Sequence, residues 1–238
     1  MTKKSWQIIV PDDFESTDSE YHIQGKIYSR VTATLNIIAK PGIRNWAARE
    51  GKKKVEAIMK RRCEIGSIVH NLFELTLKGK SFNLGNYQSE VQTDVNLFDE
   101  FRINTCLAPE GIEQRLWSNK YGYAGTADYI GKYKSCFKYI VRGHTAKFLS
   151  ESRVVGDWKT SADIYPYYWM QLAAYIFAFK ELTGVKLDGA FIAQFRNGKI
   201  RVKEMTYEEL ALEFKGYLHV LGLYNCVNRK DIWSNVKR

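Results

Sequence analysis

The 238 residues carry 36 Lys and Arg against 26 Asp and Glu, a formal charge of +10, with 45% hydrophobic residues, 14% aromatic residues and only four prolines. This composition excludes a largely disordered or collagen-like chain and suits a single domain, 1–238, with a substantial core. The positive surplus favours a polyanionic partner, and nucleic acid is a commoner one than a membrane surface.

Residues 1–20 read as an N-terminal arm or first hairpin, with a short apolar run from Trp6 to Val10 before the acidic Asp12, Asp13, Glu15, Asp18 and Glu20. The start, Met1 to Trp6, lacks the apolar stretch and cleavage site of a secretory signal, and no apolar run approaches the ~20 residues that span a bilayer. The expected setting is therefore intracellular, cytoplasmic (the host cytoplasm if phage-encoded), with no membrane partner. Tyr21 to Tyr28 alternates around Gly25 as a strand pair or turn, and a helix is expected from Ser29 to Ile38, closed by Lys40-Pro41-Gly42. From Glu50 to about Leu77, Val55, Ile58, Met59, Ile65, Val69, Leu72 and Phe73 recur at three- and four-residue steps, the pattern of a long amphipathic helix. Its Lys52 to Arg62 segment is either a solvated face or a phosphate-contacting surface.

Beyond Gly111 the period becomes two. Ile112 to Ser118, Tyr123 to Tyr133 and Arg153 to Thr160 read as strands, and residues 134–152 as a basic insertion within the sheet. That insertion, with Lys134, Lys138, Arg142, His144 and Lys147, is either a strand-guiding flap or a solvated loop. A helix from Ile164 to Leu182 ends at Thr183-Gly184. Asn197-Gly198 joins two further strands, and residues 206–238 supply a C-terminal helix and tail. The expected fold class is α/β (α+β mixed), with a central mixed sheet flanked by helices.

Asp157 and Lys159 stand two apart at the end of a strand, so both side chains share one face. Phosphodiester hydrolysis needs a cation held by carboxylates and a positive group for the developing charge, which these two residues can serve. Taken alone, Asp-x-Lys is also an ordinary surface pair. Asp128 follows the small residues of Gly125-Thr126-Ala127, which permit close approach, and two carboxylates on adjacent strands suit magnesium or manganese. Gly66 and His70 share a face of the long helix, as do Gln171 and Tyr175 on the later one. Each could equally be core.

Gly-x-x-x-His, Gly-Thr-x-Asp, Val-Gly-Asp-Trp-Lys-Thr-Ser and Gln-x-x-x-Tyr occur in this order. In that combination the chain resembles the RecB-type branch of the PD-(D/E)XK nuclease superfamily, near the phage-type and mitochondrial genome maintenance exonucleases, over about residues 21 to 185. The segment Tyr28 to Leu35, with Lys40-Pro41-Gly42 and Trp46-Ala47, adds to the likeness. The resemblance implies a restriction-endonuclease-like core. It implies that His70, Asp128, Asp157 and the Trp158 backbone carbonyl ligate one or two Mg²⁺ or Mn²⁺ ions. It further implies that Lys159 positions the attacking water, and that Gln171 and Tyr175 lie beside the site. Glu113 matches a strand glutamate of the family, with a cross-strand pair involving Arg115 as the alternative. RecB-type relatives with an iron–sulfur cluster carry three cysteines after the Gln-x-x-x-Tyr helix. Here Cys63, Cys106, Cys136 and Cys226 are scattered, so no cluster is expected.

The expected activity is a metal-dependent DNA nuclease, an exonuclease on ends or single strands in replication, recombination or repair, with an annealing protein or helicase as a possible partner. The alternatives are a structure-specific or nicking endonuclease and a catalytically silent nucleic-acid-binding accessory protein.

Overall fold

The computed structural model describes residues 6–38 and 40–228, so the first five residues and the expected tail beyond 228 lie outside the described residues. Among the described residues the fold is mixed α/β, with one eight-stranded mixed sheet and six α-helices. A small N-terminal set comes first: β1 (Glu15–Ser16), β2 (Glu20–Ile23) and β3 (Lys26–Arg30), then α1 (Val31–Leu35). The turn between β2 and β3 places Gln24 and Gly25 at φ 51° and 70°, the two left-handed positions of a tight hairpin. The expected helix from Ser29 is thus shorter at its start. Ser29 and Arg30 are drawn into the sheet by parallel pairing with Tyr123 and Ala124, a long-range contact that local periodicity does not reveal. Pro41 opens a helix, α2 (Pro41–Glu50), instead of closing one, because its missing N–H costs nothing in a first turn.

α3 (Lys52–Leu77) is the long amphipathic helix expected, burying Val55, Ile65, Val69, Leu72 and Phe73. α4 (Ser89–Asn104) follows and packs beside it. Then come β4 (Ala108–Ser118), β5 (Tyr123–Tyr133), β6 (Ser152–Lys159), α5 (Tyr167–Thr183), β7 (Gly189–Arg196), β8 (Lys199–Thr206) and α6 (Tyr207–Asn228). Asn197 and Gly198, at φ 51° and 68°, turn β7 into β8 as the Asn-Gly pair predicted. One face of the sheet packs on α5 and α6, around Leu172, Ile176, Ile192 and Tyr217. The other packs on α3 and α4, where Phe73 stacks on Phe98 at 4.0 Å against Trp158 and Phe195. No helix among the described residues is long and apolar enough to cross a membrane.

The insertion is anchored and does not form a free flap. Tyr139, Ala146 and Phe148 are buried, and Val202 in the edge strand β8 exchanges backbone hydrogen bonds with Tyr139 and Val141. Buried Glu204 accepts hydrogen bonds from Tyr133 Oη (2.6 Å), Ser135 Oγ (2.9 Å) and the Lys147 N–H (2.6 Å). The segment thereby blunts an otherwise open sheet edge. Lys138 pairs with Glu100, and Lys147 with Glu209 at 2.8 Å, so part of its charge is already matched. The basic stretch of α3 is also partly paired, through Lys54–Glu50 at 2.6 Å and Arg62–Glu90.

Candidate active site

The strand order creates the site. β4 pairs with β5 along most of its length, and β3 and β6 share the opposite edge of β5. β3 takes Tyr123 and Ala124, and β6 takes Tyr129 to Tyr133, which leaves residues 125–128 outside both ladders. Past the Tyr129–Gly156 pair the two strands separate, and the Trp158 N–H donates to Asp128 Oδ2 at 3.0 Å instead of to a backbone carbonyl. In an extended strand the N–H and C=O of one residue leave by the same edge. The Trp158 carbonyl therefore also opens toward this split.

Around the split the predicted residues come together. His70 Nδ1 of α3 lies 3.5 Å from Asp128 Oδ2. Asp157 is buried, and the Lys159 ammonium donates to its Oδ1 at 2.8 Å while standing 2.6 Å from its Oδ2. Oδ2 is fully buried, and its contact with the ammonium lacks hydrogen-bond geometry. Gln171 Nε2 bridges Asp157 Oδ1 (3.4 Å) and the Tyr175 hydroxyl (3.3 Å), behind the carboxylate. Lys159 also lies 4.7 Å over the ring of Tyr168, in a group with Tyr165 and Tyr167.

Two glycines permit this closeness. A Cβ on Gly66 would meet Thr160 Oγ1 at 3.0 Å, so its absence lets α3 seat against the end of β6. A Cβ on Gly125 would lie 2.5 Å from Tyr175 Cε1, so the ring of Tyr175 occupies the space that a side chain would take.

Glu113 belongs to the group. The pairs Ile112–Tyr129 and Gln114–Ala127 leave it opposite Asp128. Its φ of 49° is left-handed in the middle of a strand, a conformation that costs a non-glycine residue about 1–2 kcal/mol and persists only where the surroundings hold it. The alternative pair with Arg115 is not formed, since that guanidinium lies 5.1 Å over the ring of Phe14. Burial first, then the charge of Asp128, pushes the Glu113 carboxyl up to about 7; Glu74 and Asp157 add to the rise. Asp157 is pushed up to about 6, by burial above all and further by Asp128, against the pull of Lys159. Tyr175 is held well above its ordinary value by burial and by the same two aspartates, so it stays a neutral hydroxyl. Glu74 is the acidic neighbour that the sequence pattern does not single out. It stands four residues after His70 on the same helix face and pairs with Lys78 at 2.5 Å.

Among the described residues no three His, Cys, Asp or Glu groups adopt metal-site geometry. The Lys159 ammonium and the Trp158 N–H engage the two aspartates instead. The donor set nevertheless fits a hard divalent cation: carboxylates crowded at low dielectric, a buried oxygen without a directed hydrogen bond, and a backbone carbonyl on the same edge.

None of the protein-family models searched matches this chain, nor does any curated protein. Among solved structures, one described as the crystal structure of SSO0001 aligns with 84% of this chain and 76% of its own, at 14% identity. Its TM-score of 0.39 is too low to support an argument about fold or function.

Proposed function

We propose that this chain is a metal-dependent nuclease of the RecB-type PD-(D/E)XK kind, hydrolysing DNA phosphodiester bonds from ends or single strands. The observation that carries the proposal is the split between β5 and β6, which brings Asp128, Asp157, Lys159 and His70 into one connected group. Glu113 faces that group from β4, and Gln171 and Tyr175 stand behind it. The order of motifs that suggested the resemblance is thus also an order of neighbours in space.

Asp128, Asp157, Glu113, His70 and the Trp158 carbonyl would hold Mg²⁺ or Mn²⁺, which when bound polarises the scissile phosphate and acidifies a water. The chain's own groups divide the remaining work. Lys159, whose side chain is 16% exposed and whose ammonium lies against Asp157, can hold the attacking water and offset the charge that develops on the phosphate oxygens. Gln171 fixes the Asp157 carboxylate from behind, and Tyr175 fixes Gln171. Water attacks phosphorus and gives up a proton to solvent, the bond to the leaving oxygen breaks, and that oxygen takes up a proton from solvent, with no covalent intermediate on the protein.

The test is digestion of 5′- and 3′-labelled linear DNA beside covalently closed circles, with Mg²⁺, Mn²⁺ or chelator. The proposal expects linear DNA to be degraded only with metal, and circles to survive. Cut circles would make the enzyme an endonuclease, and no cleavage in any metal would overturn the nuclease assignment.

A further inference from the structure

The face of the sheet that bears Asp157 and Lys159 does not end at β6. Lys159 pairs in register with Gln194 of β7, and Gln194 with Arg201 of β8, so these three side chains form one row across three strands on one face. Lys199 and Lys203 flank Arg201 at two-residue steps and therefore share that face. The Arg201 guanidinium donates to Gln194 Oε1 at 3.1 Å, and Gln194, 1% exposed, donates to the Ser161 carbonyl at 2.7 Å. Arg196 donates to the Thr160 carbonyl at 3.2 Å. A buried amide thus holds Arg201 in place, and both arginines are tied to the two residues that follow Lys159. Gln194, Arg196, Lys199 and Arg201, with Ala162 and Asn197, line an open groove of about 330 Å³, and Lys203 stands beside it. The nearest countercharge is exposed Asp163, 3.3 Å from Arg201, and among the described residues Lys199 and Lys203 form no ion pair.

We infer that this groove is a second phosphate site, which takes the backbone of the strand being cut a few nucleotides from the scissile bond. Two strand spacings separate Lys159 from Arg201, about 10 Å. That separation is short enough for nearby phosphates of one strand to engage Lys159 and Arg201 together. Arginines with fixed guanidinium planes suit phosphate oxygens, and the flanking lysines add charge without sequence preference. The inference rests on the nuclease proposal for its ligand, and it makes β8 a basic surface beside the chemistry.

The test uses the Lys199→Gln/Lys203→Gln pair, which removes charge from exposed Lys199 in the groove lining and from half-buried Lys203 beside it, and leaves the Gln194 network intact. Binding of a fluorescent single-stranded 20-mer is measured in chelator across a salt series, so that no cleavage intervenes. Lys26→Gln/Lys215→Gln, two exposed lysines elsewhere, serves as control. The expected result is weaker binding and a salt slope lower by about 1.4, about 0.7 for each phosphate no longer neutralised, with the control at the parental slope. If the β8 pair keeps the parental slope and affinity, or the control loses as much, the second site is overturned while metal-dependent cleavage is untouched. If the parent binds but never cleaves, the nuclease proposal fails and the slope still judges the groove. If the parent does not bind DNA, both fail.

Discussion

Gly125→Ala is the smallest change that should disturb the site without touching a charge. The added Cβ would lie 2.5 Å from Tyr175 Cε1, 3.1 Å from its hydroxyl oxygen and 3.2 Å from Cζ. Ordinary carbon contacts begin near 3.5 Å, so the ring must retreat by about 1 Å. Tyr175 is 3% exposed within the α5 face of the core, so the ring has little free volume to move into. Overpacking of this kind costs about 1–3 kcal/mol, which in a chain of this length lowers Tm by roughly 2–12 °C. The displaced hydroxyl also releases Gln171, already at 3.3 Å, and with it the support behind Asp157. Denaturant melts of the parent, Gly125→Ala, Tyr175→Leu and the double variant form a cycle. The smaller leucine should recover part of the loss, with a coupling of about 0.5–3 kcal/mol. Additive losses, or a Gly125→Ala variant as stable as the parent, would refute the packing of Tyr175 on β5.

Three further outcomes follow from the same structure. Asp94, 4% exposed on α4, is pushed up to about 6 from 3.8 mainly by burial and by Glu90, against Arg62 and Arg196. Its neutral form suits the fold, so the stability it contributes is full below about pH 3.8 and is lost as pH rises through about 6. Asp94→Asn should therefore match the parent near pH 4 and exceed it by about 1–3 kcal/mol at pH 8 in urea melts; an advantage independent of pH would contradict this. Glu204→Ala leaves two buried hydroxyls, of Tyr133 and Ser135, and the part-buried Lys147 N–H without their acceptor and should cost about 2–4 kcal/mol. Amide exchange should then quicken across residues 134–151, and unchanged protection there would mean that Glu204 does not hold the insertion. Asp157→Asn should reduce metal-dependent cleavage by at least a hundredfold in the end-labelled DNA assay, and cleavage at the parental rate would contradict its place in the site.

The sequence made the site legible through elements with a strong local signal. β5 alternates from Tyr123 to Tyr133, α3 and α5 repeat at three and four residues, and Asn197-Gly198 defines its turn. What escaped depends on distant partners. α4 buries Asp94 on its inner face, so its apolar period is broken and the helix does not stand out. Ser29 and Arg30 look helical until β5 pairs with them. The parallel placement of β3 and the antiparallel placement of β6 on one edge of β5, which together open the split, have no local signature at all. Glu113 was visible as a strand glutamate, but its left-handed backbone was not, and Glu74 was hidden by its ordinary place in an amphipathic helix.

The most direct measurement of the central claim is cleavage of end-labelled linear DNA by the parent, Asp157→Asn and Lys159→Ala, each with Mg²⁺, Mn²⁺ or chelator, beside DNA binding by the same preparations. The account predicts cleavage by the parent only in metal and loss of cleavage in both variants, with binding retained. Variants that cut as well as the parent, or parental cutting in chelator, would contradict it.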